Sequence, residues 1–169
     1  SVNYDGVGNV ISKIDPLGNT KRYLYDDNGN LVKEIDARYY HLEVEDAPGT
    51  MYQYNKLNQL VKVSVFDGTN EKVVLYKEYN ERGNVILVAD GEGYDYQNSS
   101  QSIGNTYSYD TNNNVILFVS AQKYKDNKDK GLNDNSIKYS YDGSSRLIDE
   151  EDAEGDTTQY TYYLNGKQK

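Results

Sequence analysis

Several residue types are absent from this sequence or nearly so, and each gap removes a class of chemistry. The 169 residues include no Cys, no Trp, two Pro, two Phe, one Met and one His. Without Cys there are no disulfides, no thiolate nucleophiles and no Cys-based zinc sites. A Ser-His-Asp arrangement would depend on the single histidine, His41. No run approaches the roughly 18 apolar residues of a transmembrane helix, so none is predicted.

Basic residues are also scarce, which limits the classes of partner. The chain has 18 Lys and Arg against 27 Asp and Glu, which gives a net charge of −9. Nucleic-acid binding needs clustered cations to neutralise phosphates. Anionic membrane surfaces likewise attract basic segments. We therefore predict that neither a nucleic acid nor a membrane is a partner.

A short motif, Tyr–Asp/Asn–x–x–Gly/Asn–polar–aliphatic, recurs along the chain and accounts for several of its 19 Tyr. An internal repeat of this kind indicates a repeat architecture. The spacing between copies varies while the motif stays constant, as expected for constant hairpins joined by loops of variable length. The repeat cores lie near residues 4–10, 25–31, 54–60, 79–85, 109–115, 141–147 and, in degenerate form, 162–167.

Each motif position has a physical role in a β-hairpin. Residues two apart in a strand share a face, so Tyr-x-Tyr places two rings side by side. Asp or Asn opens a turn, and Gly or Asn at the fourth place tolerates a left-handed backbone. The motif residues are Tyr4, Asp5, Gly8, Tyr23, Tyr25, Asp26, Gly29, Tyr52, Tyr54, Asn58, Tyr79, Asn80, Gly83, Tyr107, Tyr109, Asp110, Asn113, Tyr139, Tyr141 and Asp142. We predict positive φ at Gly29 and Gly83, and a strained or altered turn at Ser145.

The strands and connections around the motif predict an all-β fold. Two aliphatic residues follow each turn, and strict alternation would place one on each face of the sheet, so both faces would be apolar. Asp-Pro-x-Gly and Asp-Gly segments at 15–19, 66–70 and 90–93 indicate further turns. Polar stretches at 93–105 and 123–136 are predicted to be surface loops. The insertion at 37–49 is predicted to contain a short strand, Tyr39–Val44.

The segments "YLYDDNGNLVKEIDARY" and "IDPLGNTKRYLYDDNGNL" resemble the YD repeat, also called the RHS repeat, most closely over residues 4–36. The resemblance implies tandem antiparallel hairpins that wind into a curved, spiral sheet. In bacterial toxins of this family the spiral forms a hollow shell around a C-terminal toxic domain, and teneurins have a related shell. We therefore expect 1–169 to be a single repeat array, excerpted from a longer protein. It lacks the boundary segment with self-cleaving aspartates and any cargo domain.

The sequence thus favours a structural scaffold of a bacterial protein at the cell surface or secreted, with neighbouring repeats and a cargo domain as partners. The alternative is a surface adhesion module whose tyrosine rows bind a glycan or another protein. An isolated fragment would expose unpaired sheet edges, so edge-to-edge self-association is also expected.

We predict no enzymatic activity, no cofactor and no metal site. His41 lies in an insertion and fits a surface or packing role. The many acidic residues make chance carboxylate pairs inevitable, and the repeat acids already have turn roles. Calcium is suggested by "DDNGN" at 26–30 and by 126–134, but Lys128 and Lys130 occupy ligand places of the EF-hand pattern.

Overall fold

A computed structural model describes residues 1–121 and 136–169 and shows strands and short turns throughout these ranges. The predicted loop at 123–136 and the calcium candidate at 126–134 thus lie outside the described residues, apart from Ser136. Two compact units comprise residues Ser1–Lys77 and Glu78–Lys169. The strands are β1 Val2–Tyr4, β2 Val10–Ile14, β3 Thr20–Tyr25, β4 Leu31–Ile35, β5 Gly49–Tyr54, β6 Leu60–Phe66, β7 Glu71–Tyr79, β8 Val85–Asp90, β9 Asn105–Tyr109, β10 Val115–Val119, β11 Ile137–Tyr141, β12 Leu147–Glu151 and β13 Thr157–Gln159. Two 3₁₀ turns occupy Ala37–Tyr39 and Ser99–Gln101.

Both units are built from strands that pair antiparallel with their neighbours in the chain. In the first unit β1 pairs with β2, and so on in order to β7. In the second unit the same holds from β8 to β13. The predicted all-β fold of tandem antiparallel hairpins is confirmed. No helix in the described ranges has the length and apolar character to cross a membrane.

A β-bulge recurs beside the turns that follow the strand-end tyrosines. Tyr25 pairs with Leu31 and Leu24 pairs with Lys33, so the ladder passes over Val32. Such a bulge leaves its extra residue unpaired and bends the strand. The ladder passes over the second aliphatic residue in the same way at Ile11, Val61, Ile116 and Ile148. The sequence argument assumed that the two aliphatic residues after each turn point to opposite faces of the sheet. It fails at these residues, because the bulge interrupts the alternation of side chains.

The insertion after β4 contributes to the buried interior of the first unit. Ala47 within it and Ile35 of β4 are both fully buried. The predicted strand at Tyr39–Val44 is wrong, because the segment forms a 3₁₀ turn followed by further turns. The Asp36 side chain caps this turn by accepting from the backbone N–H of Arg38.

Two cations on the sheet bind backbone carbonyls of this insertion. Arg22 of β3 donates from Nη2 to the carbonyl of Leu42 at 2.8 Å. Lys33 of β4, only 8% exposed, donates from Nζ to the carbonyl of Val44 at 2.6 Å. The carbonyls that a strand would have paired with another strand are therefore bonded to side chains.

The connection between β8 and β9 is likewise packed against its own sheet. Ser102 is 6% exposed, and its hydroxyl accepts from the backbone N–H of Asp95 at 3.0 Å. A Cβ on Gly104 would overlap the carbonyl oxygen of Val88, so the two backbones approach closely at this residue. The surface-loop prediction for 93–105 is correct at Tyr96, which is 60% exposed, and wrong at Ser102 and Gly104.

Candidate functional site

The tyrosine turns are the recurrent structure of this protein, and each begins where a strand ends. The strand-end tyrosines Tyr4, Tyr25, Tyr54, Tyr79, Tyr109 and Tyr141 are the last residues of β1, β3, β5, β7, β9 and β11. The next residue in each case opens the turn: Asp5, Asp26, Asn55, Asn80, Asp110 and Asp142. In each unit these turns therefore lie on the same side of the sheet, where these strands end. We name this side the turn edge; it is formed by strand ends and not by an outermost strand.

The turn at 26–30 shows the geometry that the others share. The backbone N–H of Asp26 donates to the carbonyl of Asn30 at 2.9 Å, and that of Gly29 donates to the carbonyl of Asp26 at 3.0 Å. Oδ1 of Asp26 accepts from the backbone N–H groups of Asn28 and Asn30 at 3.0 and 2.8 Å. The side chain that opens the turn thus pairs backbone donors that would otherwise need water.

The fourth residue of these turns adopts a left-handed backbone. Gly29 has φ +80° and Gly83 has φ +84°, so the positive φ predicted at both residues is confirmed. Asn58 and Asn113 have φ +58° and +65°. Ser145 has φ +58°, which is uncommon for serine.

The prediction of a strained or altered turn at Ser145 is confirmed as strain, because its backbone is left-handed, whereas its hydrogen bonds are those of the other turns. The N–H of Asp142 donates to the carbonyl of Arg146, and the N–H of Ser145 donates to the carbonyl of Asp142, both at 2.9 Å. Only the backbone of Ser145 carries the predicted strain.

Within the described residues, several tyrosines donate their hydroxyl to a backbone carbonyl of an earlier strand. Tyr25 reaches the carbonyl of Val10 at 3.1 Å, and Tyr109 reaches that of Val85 at 2.7 Å. Tyr141 donates to Val115 at 2.9 Å, and the tyrosine of the degenerate copy, Tyr162, donates to Leu147 at 2.7 Å. In every case the acceptor is the first aliphatic residue after the preceding tyrosine turn.

These hydroxyl bonds satisfy carbonyls beyond the last paired residues of two adjacent strands. The β2–β3 ladder ends at the pair Ser12 and Arg22, and Val10 lies past it, where Tyr25 provides the donor. Burial raises the pKa of the hydroxyls of Tyr25, Tyr109 and Tyr141, so burial favours the protonated donor form at neutral pH. The sequence motif predicted shared faces for the rings but gave no sign of the acceptors.

The upstream tyrosines Tyr23, Tyr52, Tyr107 and Tyr139 are half-buried and make varied contacts. The ring of Tyr107 lies 5.3 Å from the ring of Phe118 across the β9–β10 pair. Lys13 places its ammonium 5.5 Å from the centre of the Tyr23 ring. These contacts join neighbouring strands and so stabilise pairing.

The acidic side chains of the turns are engaged in local hydrogen bonds. The side-chain amide of Asn30 and backbone N–H groups hold the pKa of Asp26 below its ordinary value. The Asn114 amide lowers the pKa of Asp110 in the same way, and the Arg146 side chain lowers that of Asp142. Carboxylates bonded in this manner remain ionised and are poor proton donors at neutral pH.

The remaining candidate residues for catalysis or metal binding are not brought together into a site. His41 is exposed within the insertion of the first unit. Across residues 1–121 and 136–169, no group of three or more His, Asp or Glu side chains is placed to hold a metal ion. A groove lined by Tyr109, Asp110 and Arg82 does separate two successive turns of the second unit. Arg82 donates from Nη1 to the carbonyls of Asp110 and Thr111 at 3.3 and 3.1 Å. Its guanidinium group therefore hydrogen-bonds the backbone of the neighbouring turn.

Comparison with known families and structures agrees with this geometry. The family model of the RHS repeat matches residues 4–39. That segment includes the turns at 5–9 and 26–30 and the Tyr25–Val10 bond. The predicted resemblance to the YD, or RHS, repeat family is confirmed over residues 4–39, which match that family's model. No curated protein matches the chain significantly.

One solved toxin structure shares the fold over nearly the whole chain. A Tc holotoxin pore of Photorhabdus luminescens is 18% identical over 95% of this chain, with a TM-score of 0.50. Two crystal structures of TcdB2-TccC3, one with Cdc42 and one without the hypervariable C-terminal region, are each 18% identical with TM-scores of 0.45. They cover 96% and 98% of this chain and 10% of their own. The present chain spans only 9% of the holotoxin chain, so the likeness establishes a shared fold for this part.

Proposed function

We propose that this chain is a structural scaffold, a segment of the wall of an encapsulating RHS shell. The shell would belong to a longer bacterial protein that is secreted or surface located and houses a C-terminal toxin or effector. The observation that carries the proposal is the recurrent hydroxyl–carbonyl bond from a strand-end tyrosine to the preceding hairpin, as between Tyr109 and Val85. A contact repeated in this way builds an array, whereas a binding site rarely needs the same residue in every repeat.

The turn chemistry supports a structural role over an enzymatic one. Both carboxylate oxygens of Asp26 and of Asp110 accept hydrogen bonds within their own turns. General acid–base catalysis needs a carboxyl group that can reach a substrate and exchange a proton near neutral pH. We therefore assign these acids to turn formation and propose no catalytic residue.

The alternative, a surface module for glycans or a protein partner, has weaker support. Aromatic sugar platforms need open rings, whereas Tyr25, Tyr54 and Tyr109 are half-buried. The exposed rings are Tyr40 at 45% and Tyr96 at 60%, in connections outside the motif, and Tyr4 at 59% and Tyr163 at 53%, in the first and the degenerate copies. The motif rings from Tyr23 to Tyr141 are half-buried and therefore less available to a ligand.

Limited proteolysis of the longer protein that contains residues 1–169 tests the proposal. An enclosed C-terminal domain should resist protease in the native protein and become cleavable when Gly104→Val disrupts the wall. Gly143→Ala, in an exposed turn where a Cβ would meet no other atom within 4 Å, is the matched control. Equal cleavage of the C-terminal domain in all three proteins would contradict enclosure.

A glycan array probed with residues 1–169 tests the alternative. The scaffold proposal predicts no saturable binding. Saturable binding that is lost in Tyr96→Ala would favour the adhesion function instead.

A further inference from the structure

The left-handed residues that are not glycine share a contact that the glycines cannot make. Nδ2 of Asn30 donates to Oδ1 of Asn58 at 3.0 Å, across two successive turns of the first unit. In the second unit Nδ2 of Asn84 donates to Oδ1 of Asn113 at 2.8 Å. Nδ2 of Asn114 donates to Oγ of Ser145 at 3.1 Å. In all three junctions the last residue of one turn reaches the left-handed residue of the next.

The donating amide also serves its own turn, so it bridges two turns at once. Nδ2 of Asn30 donates one N–H to Oδ2 of Asp26 at 2.9 Å and the other to Asn58. Nδ2 of Asn114 makes the equivalent bond to Oδ2 of Asp110 at 2.9 Å. An Asn side chain carries two N–H donors, and both are used here.

We infer that Asn58, Asn113 and Ser145 are acceptors that couple successive repeats along the turn edge, and that the residue pair at each junction sets the strength of this coupling. Tolerance of a left-handed backbone explains why Asn can stand there, but it does not explain Ser145, for which that backbone is uncommon. The hydrogen bond from Asn114 to the Ser145 hydroxyl explains why a serine occupies this left-handed position. The inference concerns how repeats are held together and is independent of the proposed shell function.

The same arrangement identifies weaker junctions. Asn9 ends the first turn, and the residue that it faces in the next turn is Gly29, which has no side chain to accept. Oδ1 of Asn9 lies 4.0 Å from where a Cβ on Gly29 would stand. The junction between the turns at 142–146 and 163–167 also presents a glycine, Gly166, with φ +82°. Both junctions lack a side-chain acceptor at the left-handed position.

A double-mutant cycle on residues 1–169 tests the coupling at the Asn84–Asn113 junction. If the only role of Asn113 is to adopt the left-handed backbone, Asn113→Gly should be neutral or stabilising, because glycine adopts positive φ at no steric cost. If Asn113 is an acceptor, Asn113→Gly should raise the unfolding constant by roughly threefold, within the range of one exposed hydrogen bond. The effect should largely vanish in an Asn84→Ala background.

The control Asn112→Gly adds a glycine to the same turn and leaves the bridging amide untouched. It measures the entropic cost of the glycine alone, which is subtracted from the Asn113→Gly result. Additivity of Asn84→Ala and Asn113→Gly in urea denaturation would overturn the inference.

A gain-of-contact variant gives an independent test at the weak junction. Gly29→Asn should destabilise less than Gly155→Asn, because an amide at 29 can pair with Asn9. At Gly155, which has φ +89°, a Cβ would meet no described atom within 4 Å. The difference should disappear when Asn9 is replaced by Ala. Equal effects at both glycines would contradict the pairing.

Discussion

The tyrosine turns and the two long connections of this protein are stabilised by different kinds of interaction. The turn at 26–30 is exposed and held by hydrogen bonds among five consecutive residues. The insertion at 37–48 and the connection at 91–104 each place buried residues against their own sheet, with Ala47 fully buried and Ser102 6% exposed. Turns encoded by local chemistry can be repeated anywhere, whereas these connections depend on the strands beneath them.

This difference predicts that changes under the connections will cost more than changes within the turns. The connections contribute buried surface and close backbone contacts, which respond strongly to volume. The turns contribute exposed hydrogen bonds, which are individually weaker and depend on ionisation.

The largest effect is expected where the 91–104 connection meets β8. Gly104→Ala should destabilise the second unit by about 3 kcal/mol, because the new Cβ would overlap the Val88 carbonyl and force the backbone apart. Urea denaturation followed by circular dichroism would measure the change. Gly143→Ala, which meets no atom within 4 Å, should alter stability by less than about 0.5 kcal/mol. Similar values for both variants would remove the distinction between connections and turns.

A second effect is expected at the cation that binds the 37–48 insertion. Lys33→Met keeps the apolar stem but leaves the Val44 carbonyl without its donor, which should cost roughly 1–3 kcal/mol. Amide exchange at 40–48 should accelerate, as measured by mass spectrometry.

Lys138→Met is the matched control for the Lys33 variant. It removes an exposed ion pair, with Lys138 Nζ 2.6 Å from Glu151 Oε1, and should cost about 0–1 kcal/mol without changing exchange at 40–48. Unchanged exchange at 40–48 in Lys33→Met would show that the insertion is held by other contacts.

A smaller effect, confined to acid, is expected in the turns that begin with Asp. The lowered pKa values of Asp26 and Asp110 mean that their contribution to stability is complete above the unfolded value near pH 3.9. It is lost as the pH falls through the folded values, since protonation weakens the carboxylate as an acceptor. Stability measured from pH 5 to pH 2 should therefore decline.

The combined variant Asp26→Asn and Asp110→Asn sharpens this test. Asn keeps the Oδ1 acceptor without titrating, as Asn55 and Asn80 do in their own turns. The decline with falling pH should then be shallower than in the parent chain. An identical profile would place the acid sensitivity elsewhere.

The smallest effect is expected from a single tyrosine hydroxyl. Tyr109→Phe removes the bond to the Val85 carbonyl and should cost about 0.5–1 kcal/mol. Because burial raises the pKa of Tyr109, its contribution is complete below the unfolded value near 10 and is lost as the pH rises through the folded value. Ultraviolet titration should show one late-ionising tyrosine fewer in the variant than in the parent chain.

The turns could be predicted from the sequence because their determinants are only a few residues apart. Asp26 and Gly29 lie within one turn, and their roles follow from side-chain reach and backbone freedom. The acceptor of Tyr25 could not be predicted, since Val10 is in the preceding strand and offers only a carbonyl that every residue possesses. For the same reason the carbonyls bound by Arg22 and Lys33 could not be predicted from the sequence. The strand predicted at Tyr39–Val44 was wrong because these side chains, and not another strand, bind carbonyls of that segment.

The edge opposite the tyrosine turns provides sites where this protein can acquire new segments. Unlike the long connections at 37–48 and 91–104, the short turns there, such as the one at 67–70, need only to join adjacent strands about 4.8 Å apart. Doubling the length of a flexible loop costs only about 0.6 kcal/mol in closure entropy. A peptide epitope grafted at 67–70, between β6 and β7, would leave the pairing at the turn edge in register. The short turns opposite the turn edge can therefore diversify in sequence while the tyrosine turns stay constant.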